Sequence, residues 1–120
     1  MSEILNQKQY DLEDRTLRFA KDVRAFIIQL PKTAANVEDG KQVIRSSGSV
    51  GANYIEANES LSKKDFVMRT KICRKEAKET TYWLKLIQVN TESLEKEKQR
   101  LTQEANELTM IFGSIIRKSE

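Results

Sequence analysis

Residues 42–57 read QVIRSSGSVGANYIEA, and this stretch decides the fold class of the chain. Apolar and small side chains recur in it every three or four positions, at Val43, Ser47, Val50 and Tyr54. That spacing is the period of one face of an α-helix. The stretch contains two glycines, Gly48 and Gly51, and each costs about 1 kcal/mol relative to alanine inside a helix, so another interaction should offset them. We interpret the small side chains as a face on which neighbouring helices approach closely.

The same stretch has one functional alternative. Gly48-Ser49-Val50-Gly51 matches the G-x-x-G loop with which KH domains clamp nucleotides. That loop lies among strands, and this chain has no alternating strand pattern. The P-loop and dinucleotide-binding fingerprints do not occur either. We therefore favour close helix packing over a phosphate contact.

Helical periodicity continues on both sides of this stretch. Pro31 should end a first helix, because the residue before a proline disfavours helical backbone angles. Asn36 is expected to cap the second helix, and Ser62 the third, with Asp65 three residues later. The predicted helices cover approximately residues 12–30, 37–58, 63–90 and 94–117.

The short connections between these segments predict an all-α fold, an antiparallel up-down-up-down four-helix bundle. A length of 120 residues allows a single domain, residues 1–120. The composition is 38% hydrophobic and 32% charged, which is too apolar for a disordered chain and too charged for a membrane protein.

Several kinds of chemistry are excluded by composition. The chain has no histidine, which removes Ser-His-Asp and Cys-His catalysis. The lone Cys73 lies on a core stripe and cannot form an internal disulfide, which suits a reducing cytosol. The first residues contain no apolar signal core. We therefore expect a cytoplasmic protein that is not an enzyme, has no catalytic residues and binds no cofactor.

Positive charge is concentrated in residues 62–91, which contain eight basic and three acidic residues, a net charge of +5. Most of these cations follow helical spacings of seven, four, three and seven, so they form one row that we call the basic ridge. Such rows are commonly solvated faces, but acidic partners at i±4 are sparse here, which favours a nucleic-acid footprint. The basic ridge consists of Lys64, Lys71, Arg74, Lys75, Lys78 and Lys85.

A second polar set lies on or near the apolar stripes. Glu76 lies on the stripe of the third helix, and a carboxylate that points inward is costly unless it is paired. We interpret Arg45, Asn53, Glu56 and Glu76 as a structural polar network that fixes helix register. The alternative is a carboxylate metal site, but di-iron bundles use Glu-x-x-His and this chain has no histidine. We expect no metal.

The chain resembles a known family in several blocks. Residues 42–57 resemble the signature Q-hydrophobic-x-R-(S/A)-x-x-S-(I/V)-x-x-N-(I/Y)-x-E of the bacterial 23S rRNA intervening-sequence protein family, also called four helix bundle proteins. Residues 62–66, SKKDF, and 75–84, KEAKETTYWL, resemble its next blocks. One departure is Ala57-Asn58, where the family commonly has glycine after the signature glutamate.

The resemblance implies a small bundle that assembles as a ring-shaped homopentamer and has no enzymatic activity. It also implies nucleic-acid binding, and it makes Arg45, Asn53, Glu56 and Glu76 signature residues. A similar bundle is the accessory protein of diversity-generating retroelements, which associates with a reverse transcriptase and RNA.

Two hypotheses follow. The first is an oligomeric bundle that binds structured RNA, such as rRNA, or DNA through the basic ridge. The second is a protein–protein adaptor or scaffold. Self-association has some support from the residues alone, because Ile28, Val67, Met68 and Leu86 lie off the core stripes of their helices. We expect no membrane partner.

Overall fold

The computed structural model describes residues 2–120, with side chains from residue 11 onward. It contains four α-helices, and residues 2–120 include no strand. The prediction of an all-α fold with four helices is therefore confirmed. The helices are α1 (Ser2–Ile28), α2 (Ala34–Asn58), α3 (Lys63–Leu86) and α4 (Glu92–Ser119).

The helices form a four-membered ring of contacts. Helix α1 packs against α2, α2 against α3, α3 against α4, and α4 against α1. The bundle is elongated, with extents of 47 × 23 × 19 Å. None of the helices in this described part of the chain is long and apolar enough to cross a membrane. The largest fully buried side chains include Phe19, Phe26, Leu84, Leu101, Leu108 and Phe112.

Two helix ends differ clearly from their predicted positions. Helix α1 begins at Ser2 and not near residue 12, because residues 2–11 contain neither proline nor glycine to stop a helix. Helix α3 ends at Leu86 and not at residue 90. Its C-cap residue, Ile87, has the extended angles φ −60° and ψ 133° and turns its side chain into the core. The end of α2 and the start of α3 are where they were predicted, and the other four bounds differ by two or three residues, close to the ordinary uncertainty of helix ends.

The predicted role of Asn36 is wrong. Thr33 caps α2 and accepts a hydrogen bond of 3.1 Å from the Asn36 backbone N–H. The Asn36 amide instead donates to the carbonyls of Pro31 (3.0 Å) and Gln88 (2.8 Å), and it accepts from Gln88 N–H at 2.9 Å. This buried side chain ties the α1–α2 connection to the α3–α4 connection. The predicted cap at Ser62 is confirmed, since its hydroxyl accepts from Asp65 N–H at 3.0 Å.

Close helix approach accounts for the small side chains of α2. A Cβ atom at Gly51 would lie 2.8 Å from Thr16 Oγ1 of α1, which is too close for a normal contact. Thr16 cannot move away easily, because it is buried and its hydroxyl donates to Leu12 O at 2.9 Å. On the other side of α2, Thr80 Oγ1 of α3 donates to Ser46 Oγ at 2.8 Å. Both neighbours of α2 therefore depend on its small residues.

Gly48 and Gly51 of α2 should respond in opposite ways to alanine. Gly51→Ala should destabilise the protein by about 1–3 kcal/mol, because the added methyl group overpacks the α1–α2 contact. Gly48→Ala is the matched control. Its Cβ would lie 3.5 Å from the flexible Arg24 guanidinium, an ordinary contact, so it should stabilise the helix by about 0.5–1 kcal/mol. Urea denaturation measures both, and equal stabilities would contradict the packing account.

Candidate nucleic-acid interface

The six side chains of the basic ridge are all exposed on α3. The helix turns its buried residues, among them Cys73, Ala77 and Leu84, toward the bundle. Lys64 and Lys85 are 21 positions apart, which is about 32 Å along a helix axis. The ridge is therefore a straight row of cations on the outer surface of one helix.

Few acidic groups compensate this charge. Lys71 Nζ lies 3.7 Å from Glu120 Oε1, and both side chains are about half exposed. Such an exposed ion pair contributes little energy and is easily replaced by another anion. The other five ridge cations form no ion pair within 4.0 Å with any side chain between residues 11 and 120. The ridge can therefore accept anionic groups without first breaking strong internal bonds.

Two of the four predicted network residues are brought together where α2 meets α3. Arg45 Nη1 lies 3.4 Å from Glu76 Oε1, and Arg45 Nη2 donates to Glu79 Oε2 at 3.0 Å. Trp83 Nε1 in turn donates to the other oxygen of Glu79 at 3.3 Å. Sequence reasoning missed Glu79, although its position three residues after Glu76 places it on the same side of α3. We call Arg45, Glu76, Glu79 and Trp83 the seam cluster.

The other two predicted network residues lie elsewhere. Asn53 Nδ2 donates to Ser49 O at 2.9 Å, a bond within its own helix. Glu56 is exposed, and its carboxylate has no hydrogen bond or ion pair with the side chains that the structure describes. Distance explains this correction. Asn53 and Glu56 are about 12 and 16 Å from Arg45 along the α2 axis, beyond its reach.

The two carboxyl groups of the seam cluster differ in their electrostatics. Burial raises the pKa of Glu76, and its hydrogen bond with Glu79 raises it further, against the opposing effect of Arg45. Burial also acts on Glu79, but hydrogen bonds from Arg45 and Trp83 hold its pKa below the ordinary value. Glu79 is therefore the main anionic partner of Arg45, while Glu76 is held where its charge is poorly solvated.

The described residues assemble neither a metal site nor a reactive thiol. Among the described residues, no group of three or more Cys, Asp or Glu side chains could hold a metal ion. The Cys73 thiol is buried, and burial raises its pKa to about 12. A thiol with so high a pKa is almost entirely protonated at neutral pH and is a poor nucleophile.

The chain is similar to known proteins over most of its length. The family model described as 23S rRNA-intervening sequence protein matches residues 8–114. A crystal structure of a protein with unknown function from the S23 ribosomal protein family, from Bacteroides thetaiotaomicron, has 29% sequence identity and a TM-score of 0.74. The match covers 92% of this chain and 98% of that one. No curated protein matches the chain.

The seam cluster should give opposite pH dependences when its carboxyl groups are neutralised. A raised pKa in the folded state means that the Glu76 contribution to stability is lost as pH rises above the ordinary value of 4.5. The wild type should therefore lose free energy of unfolding relative to Glu76→Gln as pH rises from the ordinary value of 4.5 toward neutrality. Denaturant titrations followed by circular dichroism measure this difference.

Glu79→Gln is the matched control. Because the pKa of Glu79 is lowered in the folded protein, the wild type should gain stability relative to this variant as pH rises toward the ordinary value of 4.5, and the gain should be complete above it. Differences of the same sign for the two variants would contradict the assignment of Glu79 as the main partner of Arg45.

Proposed function

The chain belongs to the 23S rRNA-intervening sequence protein family, and from this premise we propose that it is a non-enzymatic bundle that binds structured RNA or DNA through the basic ridge. The single observation that carries the proposal is the uncompensated charge of that ridge. Six exposed cations lie on one helix, and one of them has an ion pair with a described side chain. The balanced charges of the remaining helices offer no comparable row.

The ridge would act on the phosphate backbone. Lysine ammonium groups on flexible stems are point charges that neutralise phosphates and release bound counterions. The ridge contains no asparagine or glutamine, the residues that read adenine edges in pairs of hydrogen bonds. Binding through phosphates should therefore depend strongly on salt and little on sequence. The ridge arginine and lysines could also bond the edge of guanine.

We propose no chemical step for this protein. The chain has no histidine, and the thiol of Cys73 is buried with a strongly raised pKa. These two observations support a non-enzymatic role, because the chain offers neither a histidine base nor an accessible thiol nucleophile. The free cysteine and a nucleic-acid partner both suit the cytoplasm, which is the location we propose.

Self-association is part of the proposal, as the family resemblance implies a homopentameric ring. Exposed apolar side chains outside the bundle core support it: Ile28 is 78% exposed, Met68 50% and Leu86 43%. Met68 and Leu86 both lie on α3, at the edge of the basic ridge. The same residues favour the second candidate function, a protein–protein adaptor, in which this edge contacts a different protein.

Removing three ridge charges should weaken nucleic-acid binding without unfolding the protein. In the triple variant Lys71→Gln, Lys75→Gln and Lys78→Gln, the slope of log affinity against log salt should shrink by about two to three units. The loss of affinity should be similar for different sequences. Because these side chains are exposed, the free energy of unfolding should stay within about 0.5 kcal/mol. Fluorescence anisotropy with labelled RNA and DNA measures the binding.

The matched control removes the same charge elsewhere. Lys21→Gln, Lys32→Gln and Lys96→Gln change exposed lysines outside the ridge and lower the net charge by the same amount. This control should keep nearly the parent salt slope. Equal losses in the two triple variants would mean that overall charge, and not the ridge, drives binding. If the ridge variant binds as tightly as the parent, with the same salt slope, the ridge is a solvated face with no role in binding.

Light scattering tests the proposed assembly. At micromolar concentration the protein should have about five times the mass of one chain, which is 13.9 kDa. Met68→Glu combined with Leu86→Glu should shift the mass toward that of one chain, because charged groups cannot be buried unpaired in an interface. If the parent protein has the mass of a single chain, the proposed pentamer is wrong.

A further inference from the structure

Tyr82 is an aromatic residue on the same face of α3 as the basic ridge. It follows Lys78 by four residues and precedes Lys85 by three, so the three side chains share one face of α3. Its side chain is 59% exposed. Tyr54 shows the contrast, because it is buried in the core with its ring centroid 5.6 Å from that of Phe112. The ring of Tyr82 therefore contributes little to the core and is exposed to solvent between Lys78 and Lys85.

The ring of Tyr82 is held in place by the seam cluster. Its centroid lies 5.2 Å from that of Trp83, with the two planes at 77°, an edge-to-face contact. Trp83 packs partly against the core and donates to Glu79, which accepts from Arg45 of α2. A continuous set of contacts thus links the exposed ring to the neighbouring helix. A ring restrained in this way loses little conformational freedom when it binds a flat partner.

We propose that Tyr82 stacks on an unpaired nucleobase while the ridge lysines contact the flanking phosphates, so that the preferred ligand is a single-stranded segment of nucleic acid. This inference rests on the function proposed above and names the class of ligand. Positive grooves that contain exposed aromatic side chains are the usual means of binding single strands, because every base has a stacking face. In a duplex the bases are already stacked and paired, so an aromatic ring on the outer surface of a helix has no free base to meet.

The test compares Tyr82→Ala with the parent on four ligands: oligo-uridine RNA, oligo-thymidine DNA, and RNA and DNA duplexes of matched length. Loss of a stacked ring should weaken binding of the single strands roughly 5- to 150-fold. Duplex binding should change by less than about twofold. Because no charge is removed, the salt slope should stay that of the parent, unlike the slope of the triple lysine variant. The RNA and DNA arms show whether the unpaired strand is RNA, DNA or either.

Two further variants separate stacking from structure. Tyr82→Phe keeps the ring and should retain single-strand affinity within about twofold. Leu17→Ala removes a similarly exposed apolar side chain on α1, 53% exposed, and should leave all four affinities unchanged. Trp83 fluorescence provides a second readout, since a base stacked on Tyr82 lies close to the indole and should change its emission in the parent but not in Tyr82→Ala.

Failure of this inference is distinguishable from failure of the proposed function. If the parent binds nucleic acid but Tyr82→Ala binds every ligand as tightly, or loses single strands and duplexes equally, stacking is wrong and the ridge proposal stands. If the parent binds none of the four ligands, both proposals are wrong and the adaptor function takes their place.

Discussion

The bundle depends on the close approach of α1 and α3 to opposite sides of α2, because α2 presents small side chains to both. Gly51 leaves no room for a Cβ against Thr16, and Ser46 meets Thr80 at 2.8 Å. With α2 enclosed in this way, α4 completes the ring against α3 and α1. Long charged side chains bridge α4 to α1: Arg15 donates to both oxygens of Glu104 at 2.7 Å, and Arg100 donates to Asp22 at 3.0 Å. The α1–α4 contact thus includes salt bridges, as does the α2–α3 contact through Arg45.

This arrangement separates the residues that hold the fold from those available for binding. The buried side of α3 contacts α2 and α4, while its outer side carries the basic ridge and Tyr82. The seam cluster lies between the two. It contains a half-buried acid, Glu79, whose bonds to Arg45 and Trp83 connect a helix contact to the position of an exposed ring. Changes on the outer side of α3 can therefore alter binding while the core remains as it is.

Helical periodicity predicted the four helices and the exposed position of the ridge lysines, because both depend on spacing within one helix. Ser62 was also predictable as a cap, since its partner Asp65 lies in the same turn. The features that were missed depend on contacts between helices. Asn36 matches a capping residue by its sequence, but its side chain reaches Gln88 fifty-two positions away. The assignment of Glu56 as a partner of Arg45 is an exception, because their spacing of 11 residues in the sequence already places them about 16 Å apart along α2.

We propose the outer side of α3 as the surface on which this protein binds nucleic acid. Ultraviolet cross-linking of the protein to oligo-uridine RNA, followed by mass spectrometry of the digested complex, locates that surface without any substitution. We expect the cross-linked peptides to come from residues 64–85, with Tyr82 among the modified positions. Cross-links concentrated on α1 or α4, with the α3 peptides unmodified, would contradict it.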